Sequence, residues 1–214
     1  MGSPSSIAVR ELPLFPLNDL VLFPGQLLPL HIFEYRYRIM MNTILETDRR
    51  FGVLMSDEQS GEIATIGCCA EVLRYQRLPD GRLKMLTLGQ QRFRLLEYVR
   101  EKPYRVGLVE WIQDESPSED LYGLASEVET LLKDVVRLSA KLSDRDIELP
   151  DEIPSLPTEL SYWVAAKLYG VAAEQQALLE MQDTAMRLQR ESEILSSTRS
   201  HLAARTALKD ALQS

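Results

Sequence analysis

Apolar residues recur at two different periods along this chain of 214 residues, and the change of period divides it. Up to about residue 113 the apolar runs are short and bounded by Pro or Gly, the mark of β-strands. Residues 7–14, 27–33, 51–55 and 63–75 are such runs. Residues 91–98 and 104–112 alternate polar and apolar positions. Period two places Phe93 and Leu95 on one face of a strand and Arg92 and Arg94 on the other. Pro79-Asp80-Gly81 predicts a turn between strands at 73–78 and 83–88, because glycine takes a positive φ at little cost. One helix interrupts the region: residues 34–48 lack Gly and Pro, and carry Tyr35, Ile39, Met40 and Ile44 near helical spacing. Several strands with one inserted helix predict a small, partly closed β-barrel.

From residue 121 the period is helical. Leu124, Val128, Leu131, Leu132, Val135 and Leu138 form one apolar stripe over residues 121–142. Residues 143–157 form an acidic loop punctuated by Pro, after which Thr158 and Ser161 open a helix that Gly170 stops. Residues 172–212 contain neither Gly nor Pro, and a continuous helix of that length would run about 60 Å. Met181, Leu188, Leu195 and Leu202 recur there at intervals of seven, a candidate partner-binding seam. To about residue 190 this stripe suits packing on the chain's own bundle. Beyond it, pairing with a partner or a second copy is the alternative to exposing Leu195, Leu202, Leu208 and Leu212.

The predicted organisation is α+β. Residues 1–6 are a flexible leader, 7–113 a β-barrel subdomain and 114–120 a hinge. Residues 121–190 are a small helical bundle, and 191–214 extend its long C-terminal helix. An apolar fraction of 45% supports a packed core, and no apolar run approaches the roughly 20 residues that span a bilayer. No apolar stretch near the start suits a signal peptide, so the expected compartment is the cytoplasm, or the plastid stroma in a plant.

Charge refines the picture. The net charge is −8, yet residues 1–113 carry +1 and residues 171–214 carry −1, so the acidic excess falls on 114–170. Such a surface repels phosphate backbones. Arg74, Arg77, Arg92, Arg94, Arg100 and Arg105 are the arginines that could line a nucleic-acid face, but thirteen acidic residues share their segment. Cys68 and Cys69 are adjacent, and a strand points neighbours to opposite faces, so two buried structural thiols are expected. His31 reads as a structural residue of a strand and His201 as an exposed one of the tail helix. The acidic pairs Asp114-Glu115 and Asp151-Glu152 read as solvated loop residues. These residues supply no catalytic site, no metal set and no cofactor site.

Residues 12–33, LPLFPLNDLVLFPGQLLPLHIF, resemble the opening motif of the Lon protease N-terminal, substrate-binding domain. Residues 80–95, DGRLKMLTLGQQRFRL, resemble a second signature of that family, in which a turn leads to a strand, a Gly and an Arg-x-Arg pair. Residues 174–188 resemble the helix after its small bundle. The resemblance covers about residues 10 to 190. It implies a PUA-like β-barrel followed by helices, without catalytic residues of its own, in a free-standing single-domain member. It also implies a module that binds unfolded or specific client proteins and peptides, as an adaptor or a chaperone-like factor. The capture site is expected either in a groove between barrel and bundle or at a barrel edge. A homo-oligomer through the C-terminal helix is a further expectation. The pattern G-x-x-x-x-G-K-[ST], which cradles nucleotide phosphates, does not occur in the sequence. The alternative is a PUA-like nucleic-acid-binding protein, against which the charge map argues.

Overall fold

The computed structural model describes residues 9–115, 120–143, 153–168 and 172–213. The leader, residues 116–119 of the hinge, most of the acidic loop with Asp151 and Glu152, and the Gly170 stop lie outside the described residues. The chain divides into two compact units: residues to Gln113 with Leu168–Glu180, and Asp114–Lys167 with Met181–Ser214.

In the first unit six strands form one sheet: β1 (Val9–Asn18), β2 (Leu27–Ile32), β3 (Arg50–Ser56), β4 (Ile66–Arg77), β5 (Leu83–Arg100) and β6 (Val106–Ile112). Their order is β2-β5-β4-β3-β1-β6, and a further β5–β6 pairing closes the sheet into a ring. The first half of β1 pairs antiparallel with β6, and the second half pairs parallel with β3. Each half of β1 therefore has a ladder on one side, which is where Pro13 and Pro16, lacking an N–H, are tolerated. Pro29 lies likewise in β2, whose one ladder among the described residues is with β5.

Sequence reading divides β5 near Gly89; the structure makes it one strand of 18 residues. Gly89 is a point of close approach rather than a stop. A Cβ there would lie 2.0 Å from the Phe23 carbonyl oxygen. The Gly25 and Gly89 backbones are also joined, Gly25 N–H donating to the Gly89 carbonyl at 2.8 Å, and Gly25 takes φ +77°. The start of β5, Leu83–Leu88, pairs with β2; β4 pairs along Leu83–Arg94; and Arg92–Arg100 pairs with β6 and closes the ring. The expected turn holds: Gly81 has φ +81°, and the Leu78 N–H donates to the Arg82 carbonyl at 2.8 Å.

Helix α1 (Tyr35–Leu45) buries Tyr37, Met40, Met41 and Ile44. Tyr35, expected on the buried face, is 71% exposed. The stripe starts two residues later because Tyr37 completes it one turn before Met40 and Met41. Phe15, Tyr37 and Phe51 belong to one apolar cluster of the sheet, and Leu12, Leu14, Phe93 and Val109 to another. Arg92 does not share the exposure of Arg94. It is 2% exposed, and its Nη1 donates at 2.5 Å to the Leu179 carbonyl in helix α4 (Ala172–Glu180). A cation on an unpaired carbonyl near a helix C-terminus is favourable.

The second unit holds α2 (Tyr122–Ser143), α3 (Pro157–Ala165) and α5 (Thr184–Gln213). Pro157 opens α3 at its first position, where a missing N–H costs nothing. The expected continuous helix over 172–212 is broken. Asp183 starts α5 by accepting from the Ala185 N–H at 2.7 Å and the Met186 N–H at 3.3 Å. An N-cap, unlike Gly or Pro, does not announce a break in a run of good helix formers.

Ser192 meets Glu127, Arg199 meets Asp134, and Lys209 meets the carbonyls of Lys141 and Leu142. Both series rise together, so α2 and α5 run side by side in the same direction.

Candidate functional site

An open cleft in the first unit has a volume of about 840 Å³. Phe15, Tyr37 and Tyr104 form its apolar floor, each under 9% exposed. The Phe15 and Tyr37 rings meet edge-on with centroids 4.4 Å apart. Burial raises the Tyr37 hydroxyl above its ordinary pKa, so it stays a neutral phenol in the physiological range.

Ion pairs mark the rim. Arg36 meets Glu34 at 2.9 Å, and Arg105 meets Glu101 at 3.9 Å. Exposed pairs of this kind contribute little stability. Phe33 also lines the cleft and is 63% exposed, with its ring beside that of His31 at 6.3 Å. Among the described residues, two of the strands that line the cleft, β2 and the second half of β1, carry a ladder on one side only there.

The sequence reading missed this cleft. Its available signals were Pro29, a proline inside a strand, and Phe33, an aromatic at a strand end.

The seven-spaced residues lie in the second unit. Leu188 and Leu195 are 0% and 1% exposed, and Leu202 is half-buried, on the helix that runs along α2. Met181 lies half-buried in the break before α5. Leu188 and Leu195 thus pack within the helical unit and offer no open seam.

Asp114 departs from expectation most clearly. It was read as a solvated loop residue, yet its side chain is only 12% exposed and meets the fully buried Arg187, Nη2 to Oδ2, at 2.6 Å. Arg187 also donates to Ser161 Oγ and the Met181 carbonyl, both at 2.8 Å, and lies 4.1 Å from the Tyr162 ring centroid. Tyr162 and Thr184 hydroxyls donate to Asp114 at 2.8 and 3.0 Å. These partners all lie in the helical unit, and the network fastens it. One turn on, Glu191 is 0% exposed and neither carboxyl oxygen has a hydrogen-bond partner. Burial raises its pKa well above the usual carboxyl value, against the pull of Arg187.

Cys68 and Cys69 are free and buried, one in each apolar cluster of the sheet, as strand alternation requires. Burial pushes the Cys69 thiol up to about 11 and raises Cys68 further. His31 is exposed on β2 and His201 is exposed on α5. Arg94 pairs with Glu110 and Arg77 donates to Asn42, while Arg92 is buried and takes no place on an exposed face. Among the described residues no group of three or more His, Cys, Asp or Glu could hold a metal ion, and no helix is long and apolar enough to cross a membrane.

A closed sheet with one inserted helix, followed by helices, recurs in solved structures. The Lon N-terminal domain protein from Xanthomonas campestris superposes with a TM-score of 0.62 at 26% identity, over 85% of this chain and 96% of that one. The N-terminal domain of Mycobacterium avium complex Lon protease shares the fold, with a TM-score of 0.62 at 18% identity over 89% and 98%. Residues 11–197 match the family described as the ATP-dependent protease La (LON) substrate-binding domain. The chain belongs to that family. Lon protease of Desulfovibrio desulfuricans is 30% identical over 189 residues, 83% of this chain and 21% of the relative. Lon protease of Cytophaga hutchinsonii is 27% identical over 188 residues, 82% and 23%. The chain thus spans about a quarter of the length of the curated relatives it matches.

Proposed function

We propose that the chain binds exposed apolar segments of other polypeptides, as an adaptor or chaperone-like factor, and holds them extended along the uncovered edge of β2. The cleft carries this reading. An apolar floor beside a strand with one free side suits a peptide that adds a strand, with main-chain hydrogen bonds giving affinity and pockets reading alternate side chains. The family's description as a substrate-binding domain supports the same class of ligand.

An array of overlapping peptides from unfolded proteins, probed with the intact chain, tests it. Apolar, strand-forming peptides are expected to bind. Leu27→Asp with Phe33→Asp, at positions 55% and 63% exposed, is expected to weaken them about tenfold, the scale of an anchor residue, without unfolding the protein. Unchanged affinity in that variant, or salt-sensitive retention of RNA in place of peptides, overturns the proposal.

A further inference from the structure

A smaller pocket of about 240 Å³ opens elsewhere in the first unit, lined by Arg10, Arg50, Cys69, Gln90, Gln91 and Trp111. It shares no lining residue with the cleft. Its residues come from β1, β3, β4, β5 and β6, the five strands that close the ring, and none comes from β2. Arg10 and Arg50 stand at the starts of β1 and β3, which run parallel, and Trp111 stands at the end of antiparallel β6. The pocket is therefore one mouth of the ring, a usual place for a ligand in closed sheets.

Its floor is apolar. The Cys69 thiol is 1% exposed and burial keeps it neutral, while Trp111 packs on the cluster that holds Leu12, Leu14 and Phe93. Its walls offer donors. Arg10 uses Nη2 on Asp48, and Arg50 uses Nε and Nη2 on Glu71 at 3.3 and 3.0 Å. Their Nη1 groups, the Gln90 and Gln91 side-chain amides and the Trp111 indole N–H have no hydrogen-bond partner among the described residues.

The two acids balance the two cations, and these four are also the charges that act on the Cys69 thiol. Donor geometry, rather than a positive field, thus defines what fits. A carboxylate only accepts, and it takes paired N–H donors from a guanidinium. A phosphate dianion would bring a second charge that this balanced mouth does not offset. An ammonium would bring donors to donors.

We propose that this mouth binds a small carboxylate with a flat apolar body, the carboxylate on the Arg10 and Arg50 guanidinium groups and the body against Trp111 and Cys69. The volume equals that of about eight waters at ~30 Å³ each, which limits the body to roughly one ring. A free aromatic acid and the C-terminal residue of a polypeptide offer the same chemistry. The mouth and the cleft have no residue in common, so either proposal can fail alone.

The test is calorimetric titration of the intact chain with benzoate, benzamide, benzylamine and inorganic phosphate. The peptide Gly-Gly-Phe, with a free or an amidated C-terminus, separates the two sources. Benzoate is expected to bind about tenfold more tightly than benzamide, benzylamine or phosphate. In the Trp163→Phe chain, where Trp111 is the remaining tryptophan, bound benzoate is expected to change the fluorescence. Arg10→Gln with Arg50→Gln is expected to weaken benzoate about tenfold. Gln91→Glu, at an exposed position, is expected to turn the preference to benzylamine, a gain that an unfolded variant could not show. A free-acid peptide that matches benzoate, with its amide silent, assigns the mouth to chain termini; benzoate binding without the peptide assigns it to a free acid. The proposal is overturned if benzoate and benzamide bind equally, if no probe binds, or if phosphate is held more tightly. It is overturned equally if Trp111 does not respond to bound benzoate, or if Gln91→Glu keeps the preference for benzoate.

Discussion

Glu191 occupies a costly position, buried with neither carboxyl oxygen hydrogen-bonded. Arg187, one turn before it, makes its hydrogen bonds to Asp114, Ser161, Thr184 and the Met181 carbonyl, and Glu191 is left with none. The folded protein holds it protonated above the usual carboxyl value of 4.5, while the unfolded chain releases that proton. The unfolded state then binds fewer protons, so this contribution to stability falls as pH rises from 4.5 towards the raised folded value. Urea unfolding at successive pH values measures it. Glu191→Gln is expected to remove this part of the decline and to be the more stable protein at pH 7. An identical pH dependence in both would show that Glu191 is not the group responsible.

Strand β5 shows how one backbone position can decide an element. A methyl group at Gly89 would meet the Phe23 carbonyl oxygen at 2.0 Å, and backbone cannot swing aside as a side chain can. Gly89→Ala is therefore expected to cost about 3 kcal/mol, at the upper end for overpacking. Gly123→Ala, with nothing within 4 Å of the new methyl group, is expected to be neutral or slightly stabilising. Thermal melts of the two variants make the comparison, and equal losses would refute the steric account. The same residue explains one error of sequence reading: a glycine within a strand pattern is read as a break, whereas here it lets two segments touch. Strand periods, the turn at Gly81 and the inserted helix were legible because each is a local property. The division of residues 172–212 was not, because an Asp at an N-cap looks like any polar residue of a helix until its carboxylate is seen on the Ala185 N–H.

At the scale of the whole molecule, the cleft was hidden because its wall is discontinuous in sequence. Phe15, Phe33 and Tyr104 come together only once β1, β2 and the segment before β6 are in place. The proline-rich opening motif was legible as family, but its prolines gave no sign of which edge stays open. Asp114 was misread for a related reason, since its partner Arg187 lies 73 residues away.

The parallel course of α2 and α5 carries a consequence for how the protein is made. Ser192 and Glu127 meet across 65 residues of sequence, so these helices cannot close as a hairpin between neighbours. On a ribosome adding about 5–20 residues per second, α2 waits roughly 3–13 s for its mate. A helical unit of this length would ordinarily be a fast folder, but the long sequence separation of its α2–α5 contacts raises its contact order. Stopped-flow refolding followed at Trp163, in α3, is expected to be slower than that of an antiparallel three-helix bundle of equal stability, and equal rates would contradict this. During synthesis the face of α2 that packs on α5 stands uncovered until α5 has emerged, and for that interval the newborn chain exposes an apolar stripe.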